Sequence, residues 1–170
     1  EPDIRSAEEA AACLTAIRKL VRFLGISDGN MEEGSLRCDA NISIRKKGSS
    51  GYGNRCEVKN LNSIRNLQRA IQVEFERQCE LALRGEVIEQ NTLNFDAGTG
   101  LTTPLRSKEM ANDYRYFPEP DLPPVLLTEA YVQAIAAGLP ELPDQLVQRL
   151  QVQYGLSEYD ASLIGDDQET

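Results

Sequence analysis

Arg37, Asp39 and Asn41 stand two residues apart along the chain, and Glu57 and Lys59 repeat that interval further on. In an extended segment a period of two puts each set on one side, roughly 7 Å from one side chain to the next. Leu36, Cys38, Ala40, Ile42 and Ile44 take the opposite side of the first segment, and Cys56 and Val58 that of the second. If the two segments pair, one sheet face carries two carboxylates and two cations. Such a set suits a Mg²⁺–nucleotide site, where carboxylates hold a hard cation and Lys or Arg neutralises phosphate oxygens. The alternative is a solvated face laced with weak surface ion pairs.

Two further clusters carry polar chemistry. Asn112-Asp113-Tyr114-Arg115-Tyr116-Phe117 precedes Pro118-Glu119-Pro120-Asp121, and such mixtures before a rigid stretch are typical of binding loops. A connector whose aromatics cover a core edge would look the same. Asn60-Leu61-Asn62-Ser63 stands where a strand enters a helix, so the helix N-terminus could receive an anion or could simply be capped by Asn62 and Ser63. No P-loop or dinucleotide fingerprint occurs.

These residues need elements to position them. Ser6 to Gly25 reads as a helix with a Ser6/Glu9 capping box, a closing glycine and an inner stripe of Leu14, Ile17, Leu20, Val21 and Leu24. Ser35 to Arg45 and Arg55 to Lys59 read as antiparallel strands, joined by the Gly/Ser/Lys loop from Lys46 to Asn54. Ser63 caps a second helix ending near Gly85, with Ile64, Leu67, Ile71 and Phe75 inward. Val87 to Leu105 reads as another hairpin, around Gly98 and Gly100. The stretch from Phe117 to Pro124 is too Pro-rich for a helix. Beyond Leu127 three helices follow, opened by Thr128, by Pro143 with Asp144, and by Ser157. The reading is therefore an α+β fold: an antiparallel sheet with packed helices over residues 1–127, then an all-helical domain over 128–170.

Composition narrows the function classes. The chain has 170 residues, is 41% hydrophobic and carries a net charge of −9. That length and apolar share allow a real core, while the acidic balance disfavours a nonspecific nucleic-acid clamp. There is no His, which removes any internal Ser-His-Asp triad or Cys/His zinc site. Cys13, Cys38, Cys56 and Cys79 form no CxxC pair and read as reduced thiols of a cytoplasmic protein. No apolar run approaches the roughly 18 to 20 residues of a membrane helix.

The same motifs carry a family resemblance. Met31-Glu32-Glu33-Gly34-Ser35-Leu36-Arg37-Cys38-Asp39-Ala40-Asn41 resembles the strand motif of the B subunit of tRNA-dependent amidotransferases. Glu57-Val58-Lys59-Asn60-Leu61-Asn62-Ser63 is similar to its next motif, and Asp113-Tyr114-Arg115-Tyr116-Phe117-Pro118 with Pro120-Asp121 to a third. Leu139-Pro140-Glu141-Leu142-Pro143 and Tyr159-Asp160-Ala161 look like the start of its helical domain. The resemblance runs over essentially the whole chain. It implies a partial catalytic domain of glutamine synthetase-like fold, using ATP and Mg²⁺ to phosphorylate the side chain of Glu-tRNA(Gln) or Asp-tRNA(Asn). It implies two partners, an amidase A subunit that releases ammonia from glutamine and a small C subunit that belts the two together. On this resemblance Asp39, Glu57 and Lys59 are catalytic. Asp39, Glu57 and Glu33 hold metal, while Arg37, Asn41, Asn60, Asn62, Ser63, Asp113 and Arg115 contact the nucleotide.

Two positions depart from the family pattern. Gln90-Asn91-Thr92-Leu93 stands where the family often has Gln-Glu-Thr-Arg, so no metal ligand is expected there. Asn112 replaces a common His. The expectation is an internal fragment that holds part of a kinase site and no complete activity. The rival reading is a non-catalytic module that docks tRNA or partner subunits; dependence on ATP and Mg²⁺ separates the two.

Overall fold

The structure is a computed structural model and describes residues 3–107 and 121–165. The chain divides into two compact units, one of Glu1–Arg22 with Ser27–Met110 and one of Phe23–Ile26 with Ala111–Thr170. The expected junction at 127/128 stands directly before the first helix of the second unit, whereas the units divide at 110/111.

The first unit is α+β, as expected. It runs α1 (Ala7–Phe23, all but its last residue), β1 (Cys38–Ile42), β2 (Cys56–Leu61), α2 (Ile64–Leu83), β3 (Asn91–Asp96) and β4 (Leu101–Ser107). The strands lie in the order β1-β2-β3-β4. The outer pairs β1/β2 and β3/β4 are antiparallel, as the two hairpins require, but β2 and β3 run parallel. The sheet is therefore mixed rather than purely antiparallel. The reason is α2, whose 20 residues rise about 30 Å. It carries the chain back along the sheet, so β3 starts at the end where β2 started.

One sheet face is the core. Ala40, Ile42, Cys56, Val58, Leu61, Leu93 and Phe95 pack with Ala10 and Leu14 of α1 and with Leu67 and Ala70 of α2. The inner stripe of α2 differs from its apolar reading: Phe75 is exposed, and Glu74 and Gln78 are fully buried. At 100° per residue, 74 and 78 lie about 20° to either side of 67, while 75 sits some 80° from 67 at the stripe's margin. The buried carboxylate is held in two directions. Arg77 donates to both of its oxygens, from Nε at 2.8 Å and Nη2 at 2.7 Å, and Gln78 Nε2 donates to Oε1 at 2.7 Å. Gln78 Nε2 also donates to the Ile42 carbonyl at 3.0 Å, tying the helix to β1. Arg77 Nη2 reaches Cys56 Sγ at 3.5 Å, and burial pushes that thiol's pKa up. In α1, Ile17 and Leu20 are exposed rather than inward, because Ala7, Ala10 and Leu14 form the packed stripe.

The second unit contains α3 (Glu129–Ala137), α4 (Pro143–Tyr154) and α5 (Glu158–Ile164). Their starts follow the sequence reading. The Thr128 hydroxyl accepts from Tyr131 N at 3.2 Å, Pro143 occupies the first turn of α4, and the Ser157 hydroxyl accepts from Asp160 N at 3.1 Å. Gly155 ends α4 at φ 67, a conformation glycine adopts without steric cost. Among the described residues no helix is long and apolar enough to cross a membrane.

Candidate functional site

The opposite face of the sheet carries the polar residues. Burial alternates along β1, where Ala40 and Ile42 are buried while Asp39 and Asn41 are exposed. The register sets Asn41 opposite Glu57 and Ala40 opposite Val58. Asp39, Asn41, Glu57 and Lys59 therefore share one face, as their parity requires.

A bulge shapes this face. Cys38 pairs with Leu61 and Ala40 with Val58, so Lys59 and Asn60 together oppose Asp39. Asn60 takes φ +67, a left-handed conformation that Asn tolerates better than most residues, and its amide donates to the Phe95 carbonyl on β3 at 3.1 Å. The extra residue lets Val58 and Leu61 both face the core while Lys59 faces outward. Lys59 Nζ then reaches Asp39 Oδ2 at 2.8 Å and Glu57 Oε1 at 3.3 Å.

The three charges are not equally wet. Side-chain exposure falls from 47% at Asp39 to 36% at Lys59 and 17% at Glu57, toward the middle of the sheet. On β3, beside Glu57, Thr92 is almost wholly buried, and its hydroxyl donates to Glu57 Oε2 at 3.3 Å. Glu57 is thus more sheltered than an ordinary surface ion pair. The hydrogen bond from Lys59 to Asp39 raises the lysine pKa above its ordinary value; partial burial opposes this, and Glu57 adds to it.

The remaining candidates are placed as follows. Arg37 is exposed and immediately precedes β1, and Glu33 is exposed in the turn before it, its backbone amide donating to Asn30 Oδ1 at 3.3 Å. Among the described residues no group of three His, Cys, Asp or Glu side chains is close enough to hold a metal ion. Only Asp39 and Glu57 of the three expected metal ligands share the Lys59 ammonium. Asn62 and Ser63 lie at the start of α2, where Asn62 Oδ1 accepts from Asn66 Nδ2 at 2.7 Å and Ser63 Oγ from Asn66 N at 3.1 Å. Asp113 and Arg115 lie outside the described residues.

Sequence reasoning misses Thr92, and also Asn94, which pairs with Lys59 in the parallel register. Their shared parity is the signal, but only the β2/β3 pairing puts them beside the charged pair.

The chain is 55% identical over 169 residues, 99% of its length, to the B subunit of the aspartyl/glutamyl-tRNA(Asn/Gln) amidotransferase of Pseudomonas putida strain F1. It is 54% identical over 98% of its length to the same subunit of Wolbachia pipientis wMel, and 53% over 99% to that of Pseudomonas fluorescens SBW25. In each case the chain spans 35% of the relative's length. The family profile described as the GatB/GatE catalytic domain matches residues 1–133, which include the whole four-stranded sheet. The chain belongs to the GatB/GatE catalytic domain family.

Proposed function

We propose that, within the longer protein its relatives represent, this chain supplies part of a site that activates a side-chain carboxylate on tRNA with ATP. The observation that carries the reading is the Asp39–Lys59–Glu57 cluster. Two carboxylates share a single ammonium on a partly sheltered face, an arrangement of acceptors that attracts cations. Their donor chemistry fits Mg²⁺, which takes one or two carboxylates and fills its remaining positions with water and phosphate oxygens. Asp39 and Glu57 would hold the ion, whose chemistry is to draw negative charge from phosphoryl oxygens. Thr92 fixes one oxygen of Glu57 by its hydrogen bond, and so limits how that carboxylate turns. Lys59 and Arg37 supply positive charge toward phosphate, and Asn41 offers an amide beside Glu57. In the reaction the substrate carboxylate attacks the terminal phosphorus of ATP and ADP leaves. Ammonia then displaces phosphate and yields the amide. The substrates are Glu-tRNA(Gln) or Asp-tRNA(Asn), and the partners are an amidase A subunit and a small C subunit.

The test is Asp39→Asn in the full-length protein assembled with both partners. Asp39 is exposed, so the near-isosteric change alters stability by no more than about 0.5 kcal/mol. Loss of its charge lowers ATP-dependent amide formation on the order of a hundredfold, while glutaminase activity stays at its basal level. Parental amide formation at an unchanged melting temperature would return this face to an ordinary ion-pair surface. Amide formation that never needed ATP would favour a docking module.

A further inference from the structure

At the far end of the β1/β2 hairpin lies a segment opposite in character to the rest of the chain. Every residue from Arg45 to Arg55 is exposed, and the segment carries Arg45, Lys46, Lys47 and Arg55. No Asp or Glu occurs between Ile42 and Cys56, although the whole chain has a net charge of −9. The bordering segments supply Glu80, already paired with Arg84 at 3.4 Å, together with Glu86 and Glu89. The loop has internal structure. Lys46 O accepts from both Ser49 N, at 3.0 Å, and Ser49 Oγ, at 2.8 Å. The Arg45 guanidinium lies 4.9 Å from the centre of the Tyr52 ring and donates to the Ser50 carbonyl at 3.5 Å. Space above Gly48 and Gly51 is open, so another chain could approach the backbone there. Tyr52 is itself 62% exposed.

The geometry points to residues 45–55 as a contact for the phosphodiester backbone of nucleic acid. Clustered cations on a Gly-rich backbone with an accessible aromatic match that chemistry, and an acidic protein that binds a polyanion needs a local patch of this sign. Arg45 stands four residues beyond Asn41, at most about 14 Å of chain, so a backbone held here lies near the polar face. The inference deepens the proposed function and rests on it for the identity of the nucleic acid as tRNA.

The test uses the full-length protein and Lys46→Gln/Lys47→Gln, which leaves the Arg45–Tyr52 contact in place. Binding of tRNA is followed by fluorescence anisotropy against salt concentration, without ATP or Mg²⁺. Each lost phosphate contact flattens the slope of log affinity against log salt by about one. The expected result is a slope flatter by about two and affinity weaker by about tenfold or more at 0.15 M salt. A parental slope and affinity would overturn the proposal. So would polyglutamate failing to discriminate: if it binds as tightly as tRNA and loses the same affinity in the variant, the loop docks acidic protein. Because the slope is read without nucleotide, it is independent of the catalytic reading. ATP-independent amide formation by the parent would sink that reading and leave the slope standing.

Discussion

At the scale of the residue, Lys59 decides the character of the polar face. Its ammonium separates two carboxylates that would otherwise repel, and the bond to Asp39 raises its pKa. A raised lysine pKa contributes stability that is fully present below the unfolded value, about 10.4, and is lost as pH rises through the folded value. The contribution is therefore constant across neutral pH. We expect the difference in melting temperature between the parent and Lys59→Met to be flat from about pH 6 to 9. It should shrink only at strongly alkaline pH, as the ammonium loses its proton. A difference that climbs steadily between pH 6 and 9 would mean that another group governs the cluster. On the proposed function, the same variant of the full-length protein with its partners should lose amide formation, since the ammonium bridges the two carboxylates proposed to hold the metal.

At the scale of the element, the hairpin works because of one residue that a strand would not choose. Asn60 at φ +67 resets the phase of β2, so that Val58 and Leu61 are both buried and Lys59 meets Asp39. Asn60→Ala should destabilise by about 2 to 3 kcal/mol, from left-handed strain of about 1 to 2 and the lost bond to Phe95 O of about 1. Asn60→Gly keeps the conformation and loses only the bond, so denaturant unfolding should rank parent, Gly and Ala in that order. Equal midpoints for the Gly and Ala variants would show that the left-handed geometry costs nothing. Much of this hairpin is legible in the sequence, because alternation of Cys38, Ala40 and Ile42 with Asp39 and Asn41 is a period that only a strand satisfies. The bulge is not legible, since Asn60 reads equally as part of a helix cap. The polar stripe of α2 is hidden for a different reason. Hydrophobicity picks Phe75, whereas Glu74 and Gln78 are buried through hydrogen bonds that depend on Arg77 and on the Ile42 carbonyl. The parallel entry of β3, and with it the place of Thr92, depends on how far α2 carries the chain.

At the scale of the molecule, the question is how much of a site this chain can hold by itself. It spans 35% of the length of its relatives. On the polar face it brings two carboxylates to one ammonium, and among the described residues no third carboxylate, Cys or His completes a metal-binding group. A divalent ion held by two carboxylates and water exchanges readily and orders little around it. Nucleotide affinity also needs concavity, because small ligands bind tightly where most of their surface is buried. Two hollows among the described residues are lined by Ile44, Arg45, Lys46, Ala82 and Ile88, and by Ala7, Glu8, Arg65, Gln68, Arg69 and Gln72. Neither includes Asp39, Glu57 or Lys59. Binding at 1 μM corresponds to about −8.2 kcal/mol, more than a sheet face offering two carboxylates outside either hollow should supply. We therefore expect calorimetry of this chain alone with Mg²⁺ and ATP to give a dissociation constant well weaker than micromolar, and no amide formation. The full-length protein under the same conditions should bind measurably tighter. Micromolar affinity in the chain alone, lost on Asp39→Asn, would mean that the sheet face is already a complete nucleotide site.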